Sequence, residues 1–165
     1  MASFGLDIGH GRSICVEATG KGVDLNTYTA LPSGQLVKVS AKSLTLNLKA
    51  WKKFVDNLED IKTTFYNLSE DTDVKTDFFL HLGQNIYIRA VSEISCIHIR
   101  KYYFNKDECV IKPGRPGIAF KYFEFKELLK NLTSINEITS ITTVSSCCTA
   151  ATQKDCITCI EKTVN

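Results

Sequence analysis

No apolar run in this chain approaches the ~20 residues of a membrane span, which excludes a helical membrane protein. Met1 to Asp7 hold neither the basic nor the apolar region of a signal peptide, so an intracellular protein with reduced cysteines is expected. The net charge of +2 is too small to mark a nucleic-acid binder by itself. Three histidines, His10, His81 and His98, stand near no nucleophile or acid pair at a telling spacing. A Walker loop, a dinucleotide fingerprint and a zinc-protease helix are all missing. The expectation is a protein without catalytic residues, cofactor or metal.

What is present is a repeat. Phe4, Leu6, Ile8, Gly9 and Ile14 match Phe78, Leu80, Leu82, Gly83 and Ile88 at a constant offset of 74 residues. Leu25, Tyr28, Lys38, Leu44, Leu46 and Trp51 match Ile99, Tyr102, Lys112, Ile118, Phe120 and Phe125 at that same offset, without a gap. Phe54, Val55, Leu58 and Ile61 match Leu128, Leu129, Leu132 and Ile135. A long period repeated twice is no solenoid. It reads as two small domains fused into a pseudo-symmetric pair. Units of roughly 60 residues bury a marginal core alone and gain stability by packing together. The divisions expected are repeat 1 over 1–65, an acidic linker over 66–76, repeat 2 over 77–136 and a tail over 137–165. Both repeats are mildly basic, whereas the linker and tail are acidic.

Each repeat reads as strands followed by a helix. Ile86, Ile88 and Ala90 alternate with Tyr87, Arg89 and Val91, the period of a half-buried strand. Residues 95–104 are rich in β-branched and aromatic side chains. Asn105 to Glu108 is a polar turn, and strand character returns at Val110 and again at Gly117 after a Pro/Gly interruption. Phe125, Leu128, Leu129, Leu132 and Ile135 form one helical face, as do Trp51, Phe54, Val55, Leu58 and Ile61. Asn47 is placed to cap the first helix, while the second lacks an equally good cap. The predicted class is α+β: two tandem β-β-β-β-α repeats, each a curved antiparallel sheet with a C-terminal helix on one face and the other face free.

The most distinctive stretch is Ile99-Arg100-Lys101-Tyr102-Tyr103-Phe104, a turn, then Lys112-Pro113-Gly114-Arg115-Pro116-Gly117-Ile118. Bases stack on aromatic faces and Lys or Arg tracks phosphates, so this pattern suits single-stranded nucleic acid. An ordinary surface hairpin with solvated charges is the alternative. Tyr87 and Arg89 share a face opposite Ile86 and Ile88 and are candidates to join the surface. Strict alternation separates Arg100 from Tyr103 unless a bulge intervenes.

Residues 78–135, through Leu82-Gly83, Ile99 to Tyr103, Lys112 to Ile118 and the helix headed by Phe125, resemble the single-stranded-DNA-binding domain of the transcriptional positive cofactor four family of coactivators. Residues 4–61 resemble a more diverged copy, through Ile8-Gly9, Tyr28 and Ser43 to Asn47 leading to Trp51. The resemblance implies a homodimer of such domains made covalent, a monomeric pseudo-dimer with helices at its interface and sheets facing single-stranded DNA. It carries DNA contact onto Arg100, Tyr103, Lys112 and Arg115, with Lys101 beside them. In repeat 1 it reaches Arg12, Lys38 and Lys42, while Asn26, Thr29 and Ala41 stand where repeat 2 has Arg100, Tyr103 and Arg115. The expected binder is therefore asymmetric. The pseudo-dimer interface falls on Trp51, Phe54, Leu58, Phe125, Leu128 and Leu132. Expected partners are single-stranded DNA, or RNA, and proteins of transcription or replication, in a nucleus or at a site of viral DNA synthesis. A protein-interaction adaptor that kept the fold is the rival reading.

In the tail, Cys147-Cys148 and Cys156-x-x-Cys159 provide four thiolates, but an adjacent pair is poor zinc geometry, and a flexible Thr/Ser-rich tail is expected. Cys15, Cys96 and Cys109 are expected to be packing residues.

Overall fold

A computed structural model describes residues 2–7, 12–69, 77–91 and 95–141. Ile8, Gly9, His10, most of the expected linker and the four tail cysteines lie outside them. The first half forms β1 (Ala2–Asp7), β2 (Arg12–Thr19), β3 (Gly22–Ala30), β4 (Leu36–Lys38), a single 3-10 turn (Ser40–Lys42) and β5 (Leu44–Asn47). Helices α1 (Leu48–Asp56) and α2 (Leu58–Ser69) follow. The second half forms β6 (Asp77–Gly83), β7 (Ile86–Val91), β8 (Cys96–Asn105) and β9 (Val110–Phe120), then α3 (Tyr122–Lys130) and α4 (Leu132–Thr139). The class is α+β, with two antiparallel sheets. One runs β1-β2-β3-β4, with β5 also pairing to β3, and the other runs β6-β7-β8-β9.

Alternation builds each sheet. Ile14, Val16 and Ala18 of β2 and Val23 and Leu25 of β3 are fully buried. In the second sheet Leu80, Ile88, Ile99 and Ile118 lie in register across the four strands and are also buried. These inner faces join Trp51, Phe54, Phe65, Phe125 and Leu128 in one hydrophobic core. The helices interleave. α1 packs against β6 as well as its own β3 and β5, and α2 against β7 and β8. α3 packs against β1 and its own β9, and α4 against β2 and β3.

The helical stripes are correctly placed in sequence, but each is two helices rather than one. Asn57 ends α1 and Asn131 ends α3, 74 positions apart. The side-chain amide of Asn57 donates to the Lys53 carbonyl at 2.8 Å, and that of Asn131 to the Glu127 carbonyl at 3.0 Å. Each takes a carbonyl from the last turn of its helix and starts a new axis. Asn47 caps α1, its Oδ1 accepting from the Ala50 N–H at 2.8 Å. α3 also has a cap: the Glu124 carboxylate accepts from the Lys121 N–H at 2.9 Å, the reach-back half of a capping box. The expected linker starts too early, because α2 continues through Tyr66 to Ser69. α4 likewise passes the expected repeat boundary, and Ile141 beyond it is buried.

The Pro/Gly interruption is also corrected. β9 runs unbroken from Val110 to Phe120, and the extra residues are absorbed as a bulge. Arg100 pairs with Gly117 and Tyr102 with Pro113, so Gly114, Arg115 and Pro116 all stand opposite Lys101.

Candidate nucleic-acid interface

Residues paired across neighbouring strands point to the same face. On the outer face of the second sheet, Phe79, Arg89, His98 and Ala119 form one cross-strand row, and His81, Tyr87, Arg100 and Gly117 the next. Arg89 is exposed, His98 and Arg100 are half-buried, and Phe79 is 37% exposed. Burial, then the charges of Arg100 and Arg89, hold the His98 pKa below its ordinary value. Its Nε2 lies 3.1 Å from the Cys96 sulfur. Two guanidinium groups, those of Arg89 and Arg100, therefore flank the His98 ring beside Phe79.

Tyr87 does not join that surface. It is fully buried, stacked on Phe79 with centroids 4.6 Å apart and packed against His81 and Tyr102 at 4.6 and 4.9 Å. Alternation placed it on the correct face, but the aromatic neighbours on that face close over it. Burial and the nearby Lys53 ammonium lower the His81 pKa to about 4.

Arg100 is partly committed to the fold. Its Nη1 donates to the carbonyls of Gly114, at 2.8 Å, and Arg115, at 3.2 Å, and so pins the β9 bulge. The glycines of the motif are needed for this approach. A Cβ on Gly117 would stand 2.9 Å from the Arg100 Cγ and 2.9 Å from the Ile99 carbonyl oxygen. A Cβ on Gly114 would stand 2.8 Å from the Lys101 carbonyl oxygen. A guanidinium has five N–H donors, so Arg100 keeps others for a ligand.

Tyr103 lies elsewhere. It is 50% exposed and pairs across the hairpin with Lys112, which is salt-bridged to Glu108. The register shift falls on β9, so alternation along β8 still separates Tyr103 and the exposed Lys101 from Arg100 and Tyr102. Arg115 is exposed on the bulge. The candidates thus form two groups: Arg89 and Arg100 on the outer face, and Lys101, Tyr103 and Lys112 on the other side of the hairpin.

In the first half, Lys38 on β4 and Lys42 on the 3-10 turn are exposed. Arg12 is half-buried. It crosses to the second half, 3.5 Å from the Glu124 carboxylate, and donates to the Ala119 carbonyl at 3.1 Å. The outer face of the first sheet is polar and acidic. Asn26 donates to Glu17 at 3.2 Å, and Thr45 hydrogen-bonds Asp24. Cys15, Asp24 and Asn26 occupy the positions 74 below Arg89, His98 and Arg100.

Trp51, Phe54, Leu58, Phe125 and Leu128 are buried in the core and Leu132 is partly buried against it. The Trp51 indole N–H donates to Asn136 Oδ1 at 2.9 Å. Phe79, which stands beside Arg89, and Glu124 and Asn136, which bond to Arg12 and Trp51, are not singled out by the sequence. Phe79 was open to discovery, because it shares parity with His81, but its register with Arg89 appears only once the strands pair. Cys96 is buried, whereas Cys109 is exposed in a turn and is not a packing residue. Among the described residues no cluster of His, Cys, Asp and Glu is arranged to hold a metal, and no helix is long and apolar enough to cross a membrane. Compared with protein-family models, curated proteins and solved structures, the chain matches none.

Proposed function

We propose that the chain is a non-enzymatic single-stranded-DNA-binding protein, of the coactivator kind its sequence resembles, acting where duplexes open in transcription or replication. The observation that carries this reading is the placing of Arg89 and Arg100 on either side of His98, in two adjacent cross-strand rows, beside the partly exposed Phe79 on the second sheet. Arginines grip phosphates and an exposed ring offers a base a stacking surface, worth about 1–3 kcal/mol per base. Arg115 on the bulge, and Lys112 with the Tyr103 ring on the other side of the hairpin, form a second patch that a strand reaches by wrapping the hairpin. The first sheet carries Asp24 and Asn26 in place of His98 and Arg100, so binding is asymmetric and the second half dominates.

In this reading the two halves are the subunits of a dimer made covalent. The bounds of α1 and α3 lie 74 positions apart at both ends, and helices of each half lie against the sheet of the other, which supports it. Arg12, drawn into the junction, is then a contact between pseudo-subunits. The adaptor reading is favoured by one observation, the use of Arg100 donors on the bulge.

Fluorescence anisotropy of labelled oligonucleotides tests the proposal. The single strand is expected to bind in preference to duplex, with log K falling by about 0.7 per phosphate contact against log salt. Arg100→Ala with Lys112→Ala is expected to weaken binding several-fold, and Lys42→Ala to do less. No binding at low salt would leave the adaptor, and equal losses from both changes would remove the asymmetry.

A further inference from the structure

A cleft of about 360 Å³ opens between α2 and α3, away from the basic row. Phe65, Tyr66, Tyr122 and Phe125 line it, with Lys62 and Lys126 among the lining residues and no acidic side chain. Phe65 meets Tyr122 and Phe125 edge-on at 5.5 and 5.2 Å, which makes a firm aromatic floor. Tyr66 is 54% exposed at one wall. The Lys126 ammonium sits 5.2 Å from the centre of the Tyr122 ring. The positions 74 residues away are occupied differently. There Trp51 takes the part of Phe125, Asn136 that of Lys62, and the indole is bonded to the amide. Phe125 is smaller than Trp51 and has no N–H to donate, and Lys62 carries charge where Asn136 carries none.

We propose that this cleft docks an acidic segment of a partner protein, which inserts one aromatic or large aliphatic side chain between Tyr66 and Tyr122. The apolar, aromatic lining suits such an anchor, because a few buried aromatic contacts carry most of the energy of a small interface. The lysines decide the flanks. Carboxylates beside the anchor meet Lys62 and Lys126, whereas a basic segment meets like charge. The nearest acid, Glu59, pairs with Lys62 at 2.9 Å but is itself highly exposed, so a partner carboxylate readily competes for the ammonium.

The full chain is titrated into three short fluorescein-labelled peptides. The first holds one Trp flanked by Asp and Glu, the second replaces these acids by Asn and Gln, and the third replaces them by Lys. Only the first is expected to bind with micromolar affinity. Tyr66→Ala and Lys126→Glu are each expected to weaken it roughly tenfold, a difference of about 1.4 kcal/mol. Both positions are exposed, so circular dichroism should show native folding, and single-stranded-DNA affinity of Tyr66→Ala should be unchanged. Equal binding of the lysine peptide, or indifference to both substitutions, overturns the proposal. Concentration-dependent dimerisation in the ultracentrifuge that Tyr66→Ala abolishes also overturns it, by assigning the cleft to a second copy.

Discussion

Trp51 and Asn136, 85 residues apart in the chain, are joined by a hydrogen bond of 2.9 Å from the indole N–H to the amide oxygen. The indole is fully buried and Asn136 partly so. Asn136→Ala leaves a buried donor without its acceptor and is expected to cost about 1–3 kcal/mol. Trp51→Phe removes the donor as well as ring volume. The double variant should therefore cost less than the two single costs added together, as residues in contact do. Denaturant midpoints for the four proteins check this. Additive losses would mean the bond contributes nothing.

Glu124 holds the second junction. Its carboxylate is almost fully buried, faces Arg12 at 3.5 Å and caps α3 through the Lys121 N–H. Glu124→Ala removes a cap worth ~1 kcal/mol and leaves Arg12 without its carboxylate. Thermal melting should fall further for Glu124→Ala than for Arg12→Ala, because Glu124→Ala loses the cap as well as the ion pair, whereas in Arg12→Ala the carboxylate keeps the Lys121 N–H. Equal losses would reduce Glu124 to its ion pair alone.

The motif glycines predict a coupled loss. Gly117→Ala places a methyl group 2.9 Å from the Arg100 Cγ and from a backbone oxygen, so β8 and β9 must separate locally. A fall in melting temperature and weaker single-strand binding are expected together, since the same shift moves Arg100. Gly5→Ala on β1 has nothing within 4 Å and should be neutral in both assays. Retained stability and binding in Gly117→Ala would separate the bulge from the ligand surface.

His81 predicts a pH dependence. The unfolded chain takes up this proton near 6.5, and the native protein only near 4. Acid therefore favours the unfolded state through that window. The stability tied to neutral His81 is complete above pH 6.5 and is lost as the pH falls toward 4, up to about 3 kcal/mol. Urea midpoints at pH 7.5 and 5 should differ more for the native sequence than for His81→Phe. The same pH slope in both proteins would assign the effect to other groups.

Element types were largely legible in the sequence. Alternation at Ile86, Ile88 and Ala90 and the stripe from Trp51 to Ile61 carry their own periods, so local pattern suffices. The breaks at Asn57 and Asn131 were hidden, because the apolar stripe continues through both and only the side-chain bonds to Lys53 and Glu127 mark the ends. Tyr87 was misplaced for another reason. Parity names a face but does not say what else lies on it, and Phe79, His81 and Tyr102 arrive from other strands. Arg12 shows the same limit at longer range: its partner Glu124 belongs to the other half.

The interleaving of the helices has a consequence for how the molecule is made. Since α2 lies on β7 and β8, and α4 on β2 and β3, neither half completes its own hydrophobic layer. A nascent first half leaving the ribosome exposes the part of its sheet's inner face that α4 covers until that last helix is synthesised. Folding then waits on contacts as distant as Arg12 to Ala119, 107 residues apart, and such non-local closure is slow. The chain should unfold in one cooperative step. A cut between residues 70 and 76 should yield two fragments that are each unstable but restore the native spectrum when mixed.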